Sequence, residues 1–192
     1  MRVSLQNGFV PATTDAFEII GASLQDGSFA SAAFGSRVKT SDRLGSFLVA
    51  SNRNGVELRD YQSTDLDGDG IEDEWATNHF GHSPLTSVEK LADADGDGVS
   101  NYDEFKAGTD PNDPESALRL SIVYAGDRAT VSFPCVDGKE YRIWSSNNLE
   151  TWTEVTEPTF AYPSPGRCEW TDDGKDTGGL GDASRFYRVT VE

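Results

Sequence analysis

Aspartates recur at every second position in two short stretches of the chain, and glycines lie between and after them. The residues are Asp65, Asp67 and Asp69 in the first stretch, and Asp93, Asp95 and Asp97 in the second. Carboxylates held this close together in one tight turn repel each other unless a cation lies between them. Calcium suits such a place, because it binds roughly six to eight oxygen atoms in flexible loops. The spacing therefore predicts two Ca2+-binding loops, with a solvated acidic turn as the alternative.

The second stretch matches the twelve-position calcium-loop pattern D-x-[DN]-x-[DN]-G-x5-E in full, from Asp93 to Glu104. Gly98, at the sixth position, permits the sharp turn that the loop needs. Beyond the three aspartates, the pattern predicts the backbone carbonyl of Val99 as a ligand. It also predicts Asn101, binding directly or through a water, and both carboxylate oxygens of Glu104.

The first stretch matches the same pattern only in part. Its predicted ligands are Asp65, Asp67, Asp69, the backbone carbonyl of Ile71, and Asp73. The twelfth position is Ala76, whose side chain has no oxygen. Either water or a carboxylate from elsewhere completes this site, or the site is weaker than the second. The candidate carboxylates are Glu74, Asp103, Asp110 and Asp113.

Short helices are expected to follow each loop within the segment 63–115. One is predicted over 72–80 and ended by Gly81, and another over Asn101–Ala107 and ended by Gly108. The stretch 55–64 before the first loop has no helical pattern. This argues against a full EF-hand, which needs a helix on both sides of its loop.

A third short helix is predicted between the loops, with Ser83 as its cap and Pro84 in its first turn. Its inner face is expected to carry Leu85, Val88 and Leu91. The aromatic residues expected to complete a small core are Trp75, Phe80, Tyr102 and Phe105. Such a core is too small to stand alone, so metal binding would supply folding energy.

The segment 1–62 is punctuated by glycines and predicted to form short strands. The strands are expected over 17–20, 28–30, 46–49 and 56–58, and Asn54-Gly55 indicates a tight turn. The spacing near ten residues fits either stacked turns or a small meander.

The segment 116–192 shows apolar residues at alternate positions, which predicts antiparallel strands with one buried face. The alternating sets are Leu118, Leu120, Ile122 and Tyr124; Val131, Phe133 and Cys135; Tyr141, Ile143 and Ser145; and Tyr187, Val189 and Val191. Turns are expected at 126–127, 137–138 and 147–148 and in the glycine-rich stretch 174–181. Six or seven short strands in this length predict an immunoglobulin- or fibronectin type III-like β-sandwich.

The net charge of the 192-residue chain is −17, and it is concentrated in one region. Residues 60–116 carry sixteen Asp and Glu against two Lys, a net of −14, which leaves −3 for the rest. No basic stripe is available to neutralise phosphates, so nucleic acid and anionic membranes are disfavoured as partners. No run of 18 apolar residues occurs, which argues against a membrane span.

The two cysteines, Cys135 and Cys168, are predicted to form one disulfide in an oxidising compartment, with two buried thiols as the alternative. No apolar signal-peptide core follows Met1. We therefore expect the sequence to be a piece of a longer exported chain.

The histidines, the tryptophans of the last segment and a later group of aspartates are expected to have structural roles. His79 and His82 lie three apart, but two histidines without a nearby cysteine make a poor zinc site, and His79 is expected to pack beside Trp75. Trp144, Trp152 and Trp170 could stack against sugars, although core and edge packing is favoured. Asp172, Asp173 and Asp176 are expected to form a solvated acidic loop.

The run D-L-D-G-D-G-I-E-D-E-W-A-T-N-H-F-G, with the later D-A-D-G-D-G-V-S-N-Y-D-E-F-K-A-G-T-D-P-N-D-P, resembles the thrombospondin type 3 repeat-like calcium segments of large secreted bacterial proteins. More loosely, it is similar to the duplicated loops of dockerins. The resemblance implies calcium bound by Asp65, Asp67, Asp69, Asp73, Asp93, Asp95, Asp97, Asn101 and Glu104. Ala76 departs from the acidic residue usual in that family at its position.

The flanking segments carry resemblances of their own. The runs F-E-I-I-G-A-S-L-Q-D-G-S-F-A and G-S-F-L-V resemble the last coils of autotransporter-like β-solenoids. The runs Y-R-I-W-S-S-N-N-L-E-T-W-T-E-V and R-F-Y-R-V-T-V resemble β domains found after such calcium repeats. Together they imply a mainly β chain in three parts: 1–62 solenoid-end-like, 63–115 calcium-binding, and 116–192 a β-sandwich.

The sequence shows no nucleophile motif, phosphate-binding loop or shaped carboxylate pair, so we predict a protein that is not an enzyme. The function expected is a calcium-binding structural module, a rigidified linker with a terminal β domain. Its place would be an adhesin-like bacterial protein, extracellular or on the cell surface, with a glycan or protein as ligand. The alternative is a carbohydrate-binding or dockerin-like protein-binding module of a secreted polysaccharide-degrading enzyme. An intracellular calcium sensor is disfavoured, since paired helices and a Met-rich groove are missing.

Overall fold

A computed structural model describes residues 3–21, 32–136, 139–156, 158–175, 177 and 184–191. Within these ranges the chain forms eleven β-strands and three short α-helices, so the mainly β prediction is confirmed. The chain divides into two compact units, residues 1–92 and 93–192. The three-part division made from the sequence stays a prediction. No described helix is both long enough and apolar enough to cross a membrane.

The first unit contains a four-stranded antiparallel sheet. Its strands are β1 (Ala16–Gly21), β2 (Arg37–Lys39), β3 (Gly45–Asn52) and β4 (Gly55–Ser63). They lie in the order β1-β4-β3-β2, and each neighbouring pair is antiparallel. Successive coils of a β-solenoid pair in parallel, so the meander alternative fits these pairings. The strand predicted over 28–30 lies outside the described residues.

The β3–β4 hairpin turns at Arg53-Asn54, one residue before the predicted Asn54-Gly55, so that Gly55 already pairs with Asn52. Gly55 also lies against β1, since a Cβ atom there would come within 1.8 Å of the carbonyl oxygen of Ile20. Below the sheet, Phe47 packs edge-on against Phe17, with ring centroids 5.8 Å apart. The remaining buried residues of this core are Ala32, Val38, Val49, Val56, Leu58 and Tyr61.

Three helices lie in the middle of the chain: α1 (Asp73–Phe80), α2 (Ser87–Leu91) and α3 (Asn101–Ala107). The first and the third end where predicted, at Gly81 and Gly108. Both glycines adopt the left-handed conformation that favours this residue, with φ of 80° and 79°.

The prediction for α2 is wrong in two respects. Its cap is Thr86, whose side chain forms a capping box with Glu89, so the helix begins after the predicted cap Ser83 and Pro84. The later start also changes which side chains are buried. Leu85 is buried ahead of the helix, whereas Val88 and Leu91 are 79% and 77% exposed. These two residues therefore do not line an inner face.

The second unit contains two antiparallel sheets. Its strands are β5 (Ser121–Ala125), β6 (Arg128–Pro134), β7 (Tyr141–Ser146), β8 (Thr153–Glu154), β9 (Ala161–Ser164), β10 (Arg167–Asp172) and β11 (Phe186–Val191). One sheet has the order β5-β6-β10-β9 and the other β11-β7-β8. With the described strands lettered in chain order, these orders read A-B-E-D and F-C-C′, the orders that an immunoglobulin-like sandwich would have, and the immunoglobulin-like assignment stays a prediction.

Apolar residues from both sheets of the second unit share one core. Its buried members are Val131, Phe133, Tyr141, Ile143, Val155, Cys168 and Trp170. Leu118 and Leu120 pack against this core, but Ile122 and Tyr124 of the same predicted alternating set are exposed on β5. The predicted disulfide is present, joining Cys135 to Cys168 with Cα atoms 5.7 Å apart. The turn predicted at 137–138 lies outside the described residues.

Candidate metal centre

The two acidic loops repeat the same hydrogen bonds 28 residues apart, beginning with the first aspartate of each. In the first loop, Asp65 Oδ1 accepts from the backbone N–H groups of Gly68 and Asp69 at 2.8 and 3.1 Å. The other oxygen, Oδ2, accepts from the N–H of Gly70 at 3.0 Å. The first carboxylate thus folds the glycine turn around itself.

The second loop forms the equivalent bonds with nearly identical lengths. Asp93 Oδ1 accepts from the N–H groups of Gly96 and Asp97 at 2.8 and 3.1 Å, and Oδ2 accepts from Gly98 at 2.9 Å. These N–H groups hold the pKa of Asp93 below its ordinary value, Gly98 contributing most. The first carboxylate therefore stays charged.

The later positions of the loops also correspond. The aspartate at the fifth position is Asp69 in the first loop and Asp97 in the second. In both loops it accepts a hydrogen bond of 2.8 Å from the backbone N–H of the residue at the seventh position, which is Ile71 or Val99. The side chain at the ninth position accepts from the backbone N–H at the second position. Asp73 accepts from Leu66 at 3.3 Å, and Asn101 accepts from Ala94 at 3.2 Å. The ninth side chain is therefore drawn back across each loop.

Three carboxylates converge in each loop, with one oxygen of each within 4.8 Å of the others. They are Asp65, Asp67 and Asp73 in the first loop, and Asp93, Asp95 and Asp97 in the second. Each triplet gathers predicted ligands of one site. The roles of individual residues as ligands, including the carbonyls of Ile71 and Val99, stay predictions.

The second loop holds buried carboxylate oxygens whose hydrogen-bonding capacity is not met by described residues. Glu104, at the twelfth position, is 0% exposed, and its Oε2 has no hydrogen-bond partner in the part of the chain that the structure describes. The same is true of Asp95 Oδ2. Because a buried charged oxygen without a partner is costly, such atoms need an explanation. A hard cation coordinated by such oxygens would supply one, and carboxylate oxygens are the donors that calcium takes, although Glu104 is not among the carboxylates that converge within 4.8 Å.

The electrostatics of the second loop agree with this explanation. Burial raises the pKa of Glu104 to about 7, and the charges of Asp95, Asp97 and Asp110 add to the effect, against the hydrogen bond from Thr109. Burial likewise raises the pKa of Asp95, helped by the neighbouring Asp97 and Asp93. Both carboxylates therefore ionise less readily in the protein alone than they would beside a divalent cation.

The oxygens of the first loop have partners in residues 83–90, which lie outside its twelve positions. The hydroxyl of Ser83 donates to Asp67 Oδ2 at 2.6 Å and to Asp73 Oδ1 at 3.4 Å. The N–H of Leu85 donates to Asp69 Oδ2 at 2.8 Å, and Lys90 Nζ donates to the Asp69 carbonyl at 2.5 Å. We name residues 83–90 the strap of the first loop.

Sequence reasoning missed Ser83 as part of this site and assigned it to a helix cap. No signal in the loop pattern identifies it, since it lies outside the twelve positions. The same holds for Thr109, whose hydroxyl donates to Glu104 Oε1 at 3.1 Å. It also holds for Arg119, whose Nη2 donates to the carbonyl oxygen of Asp97 at 3.0 Å.

The four candidate replacements for Ala76 have other described surroundings. Glu74 is exposed on α1 and is not among the converging carboxylates. Asp103 accepts from the hydroxyl of Ser100 at 2.7 Å. Asp110 and Asp113 each accept from a backbone N–H two residues ahead, at 3.1 Å, as turn residues do. Their role as ligands stays a prediction.

His79 packs against an aromatic ring, as expected. Its ring lies 4.6 Å from that of Trp75, which confirms the predicted packing. His82 contacts Glu89 Oε1 at 3.1 Å.

The three tryptophans do not form one exposed platform. Trp170 is buried against Tyr187, with ring centroids 5.9 Å apart. The guanidinium of Arg188 lies over both other rings, 5.2 Å from the Trp144 centroid and 4.8 Å from that of Trp152.

The prediction that Asp172 is solvated is wrong. Its side chain is 1% exposed and accepts from Arg185 and Tyr187, both at 2.8 Å. The hydroxyl of Thr177 donates to it as well, at 2.6 Å. Although burial opposes ionisation, these hydrogen bonds outweigh it and hold the pKa of Asp172 below its ordinary value. Asp173 pairs with Lys175, and Asp176 lies outside the described residues.

In a comparison with known protein families, residues 93–114 match the model of the Bacterial TSP3 repeat. No curated protein and no solved structure matches the chain. The matched residues hold the second acidic loop and α3, where Asp95 and Glu104 bury oxygens without partners. TSP3 repeats are structural calcium-binding modules. The predicted resemblance is confirmed: the chain contains a bacterial TSP3 repeat-like segment, residues 93–114, which holds its second acidic loop.

Proposed function

We propose that the chain is a non-enzymatic, calcium-binding structural module of an extracellular or cell-surface bacterial protein. One observation carries the proposal: the fully buried Glu104 has a carboxylate oxygen without a hydrogen-bond partner among the described residues. That residue occupies the twelfth position of the loop that fits the TSP3 repeat. Calcium is the ligand that both the donor set and the family favour.

The ion would be held in the second loop by Asp93, Asp95, Asp97, the carbonyl of Val99, Asn101 and Glu104. Bound there, calcium supplies positive charge to carboxylates that otherwise repel each other. The chain itself holds the loop in its binding conformation before the ion binds. It does so through the N–H groups that donate to Asp93 and through the hydroxyl of Thr109, which orients Glu104. A prepared loop loses less conformational freedom on binding.

We assign calcium to the first loop as well, with weaker binding than in the second. The convergence of Asp65, Asp67 and Asp73 supports the site. The weakness follows from two features: Ala76 offers no oxygen, and the strap already donates to Asp67, Asp69 and Asp73. A cation there must compete with hydrogen bonds from the strap to three of the predicted ligands.

The ion's role in this proposal is to hold the segment 63–115 in one conformation. Metal binding then contributes directly to folding, because the ligands are assembled only in the folded chain. Calcium at 100 times its dissociation constant would add about 2.7 kcal/mol per site. The result would be a stiff linker that ends in an immunoglobulin-like sandwich.

The proposed location, outside the cell, is supported by the disulfide. Disulfides persist in oxidising compartments and are rare in the bacterial cytosol. The millimolar calcium of many extracellular settings would fill even weak loops. The binding partner of the sandwich would be a glycan or a protein.

The alternative roles differ in how much support they have. A sugar-binding platform of three tryptophans has none, since Trp170 is buried and Arg188 covers the other two rings. A dockerin-like protein contact is favoured by the exposed Val88 and Leu91 on α2. Its test is whether Val88→Lys abolishes binding to cohesin domains.

The experiment that tests the proposed function is a thermal melt of the whole chain with calcium and with EDTA, alongside native mass spectrometry. We expect one tightly bound calcium, a second that needs higher concentration, and a loss of at least about 5 °C in Tm on chelation. Magnesium at the same concentration is the control cation. An unchanged melt, with no calcium retained, would remove the proposal.

A further inference from the structure

We infer that the β-sandwich positions the second calcium site, with Tyr141 and Lys139 holding helix α3 so that Glu104 faces the loop. The inference rests on the proposed function and deepens it, because it makes calcium binding and the stability of the sandwich interdependent. Both residues lie in the second unit, as do α3 and the second loop.

Tyr141 joins the core of the sandwich to the end of α3. It is 9% exposed, and its ring lies 5.3 Å from that of Phe133 in the core. Its hydroxyl donates to the carbonyl oxygen of Ala107, the last residue of α3, at 3.3 Å. The same hydroxyl accepts from the N–H of Val136 at 2.8 Å. One buried oxygen therefore fixes a helix end and a loop of the sandwich together.

Lys139 makes a second contact at the same end of the helix. Although charged, it is only 6% exposed. Its Nζ donates to the carbonyl oxygen of Phe105 at 3.3 Å and lies 5.2 Å from the centre of the Phe105 ring. Cations stabilise the C-terminus of a helix, where carbonyl groups lack helical partners. The sandwich thus satisfies carbonyls that the short helix leaves open.

Gly108 shows how closely the two parts approach. A Cβ atom at this position would lie 2.8 Å from Cγ2 of Val136. Real side chains do not tolerate that separation, so the glycine is needed for contact as well as for its φ of +79°.

The path from these contacts to the ion is one turn of helix. The carbonyl oxygen of Glu104 accepts from the N–H groups of Gly108 at 2.7 Å and Thr109 at 3.1 Å. The carboxylate of Glu104 accepts from the Thr109 hydroxyl. Helix α3 has seven residues and cannot fix its own orientation, since helices this short are marginal alone. The sandwich contacts therefore set where the carboxylate lies.

The coupling works in both directions. If the sandwich raises the affinity of the loop for calcium, calcium must stabilise the sandwich by the same factor. We accordingly expect calcium to slow amide hydrogen exchange in β6 and β7 as well as in the loop.

The test compares two tyrosine-to-phenylalanine variants of the full chain. Tyr141→Phe removes the hydroxyl that touches α3. Tyr187→Phe removes a hydroxyl of the same sandwich that donates to Asp172 at 2.8 Å, away from the helix. By calorimetry, Tyr141→Phe should weaken calcium binding at the second loop by about fivefold or more, while Tyr187→Phe should change it by less than about twofold.

A second pair of variants keeps the test decisive should Tyr141→Phe fold poorly. Lys139→Met should also weaken calcium binding, whereas Lys175→Met, at an exposed ion pair with Asp173, should not. Equal affinities across a pair, or no calcium effect on exchange in β6 and β7, would overturn the inference and leave the proposed function standing. Failure of the unaltered chain to bind calcium would overturn both.

Discussion

The Glu104 carboxylate is fully buried, and its two oxygens have unequal surroundings. One accepts from the Thr109 hydroxyl at 3.1 Å, and the other lacks a partner among the described residues. A glutamine would keep the shape of the side chain but lose its charge and one acceptor. Replacing Glu104 with glutamine thus separates the electrostatic contribution of the twelfth position from the contribution of its packing.

Glu104→Gln should therefore weaken calcium binding by at least about tenfold, because calcium affinity follows the number of charged ligands. Glu74→Gln is the matched control, since it removes an exposed carboxylate two positions before Ala76. Titration calorimetry should show an effect of less than about twofold for the control. The reverse order would mean that the ligand positions of the loops are wrongly assigned.

The pKa of Glu104 gives a second prediction, for the calcium-free protein. Burial raises this pKa from an ordinary 4.5 to about 7, so the folded state binds the proton more tightly than the unfolded state. The contribution of Glu104 to stability is then fully present below pH 4.5 and is lost as the pH rises toward 7, by on the order of 3 kcal/mol.

Denaturation in EDTA across this pH range should show the loss in the unaltered chain and a much smaller one in Glu104→Gln. Calcium affinity should rise over the same range, because the proton must leave before the ion binds. If the stability of the calcium-free protein does not depend on pH, or if it rises with pH in both proteins, the raised pKa of Glu104 is contradicted.

At the scale of elements, the strap over residues 83–90 distinguishes the two loops. The loops share their internal hydrogen bonds, but Asp67 Oδ2 accepts from Ser83, whereas its counterpart Asp95 Oδ2 has no described partner. The hydrogen bond from Ser83 is the largest cause of the lowered pKa of Asp67. The strap therefore stabilises the charge that calcium would otherwise neutralise.

Ser83→Ala should lower the stability of the first unit in EDTA by about 1 kcal/mol, since it removes a hydrogen bond to charged groups. Ser87→Ala, on the exposed side of α2, is the control. Urea denaturation of the full chain, followed by hydrogen exchange in the first unit, measures both. Equal stabilities of the two variants would show that the strap does not support the loop.

Element boundaries were predictable where local rules decide them. Gly81 and Gly108 end helices as C-caps do, and Asn54-Gly55 located the β3–β4 hairpin to within one residue. The failures came where tertiary contacts decide. A capping box at Thr86 overrode the Ser83-Pro84 signal, which left Val88 exposed.

The candidate site divides in the same way. Spacing alone was enough to group Asp65 with Asp67 and Asp73, and Asp93 with Asp95 and Asp97, because each loop folds on its own side chains, whereas the predicted Asp69 is not among the converging carboxylates. It could not reveal Ser83, Thr109 or Arg119, which reach the loops from outside the pattern. Nor could it reveal that Asp172 is buried, since its partner Arg185 lies 13 residues away.

At the scale of the whole molecule, the charge distribution makes the calcium-free chain sensitive to salt. Of the net charge of −17, −14 lies in residues 60–116. Without divalent cations these carboxylates repel each other. At 0.15 M salt, the repulsion between exposed charges is largely screened beyond about 8 Å.

The Tm in EDTA should consequently rise with NaCl concentration, while the Tm in calcium should change little. Scanning calorimetry at three salt concentrations measures the difference. Potassium chloride is the control for effects specific to sodium. An equal salt dependence with and without calcium would contradict a local electrostatic origin.

The position of Arg188 between Trp144 and Trp152 has an optical consequence. A cation a few ångströms from two indole rings alters their excited states, and both rings will shift in emission when β7, β8 and β11 separate. Unfolding of the sandwich can therefore be followed by intrinsic fluorescence, without an attached dye.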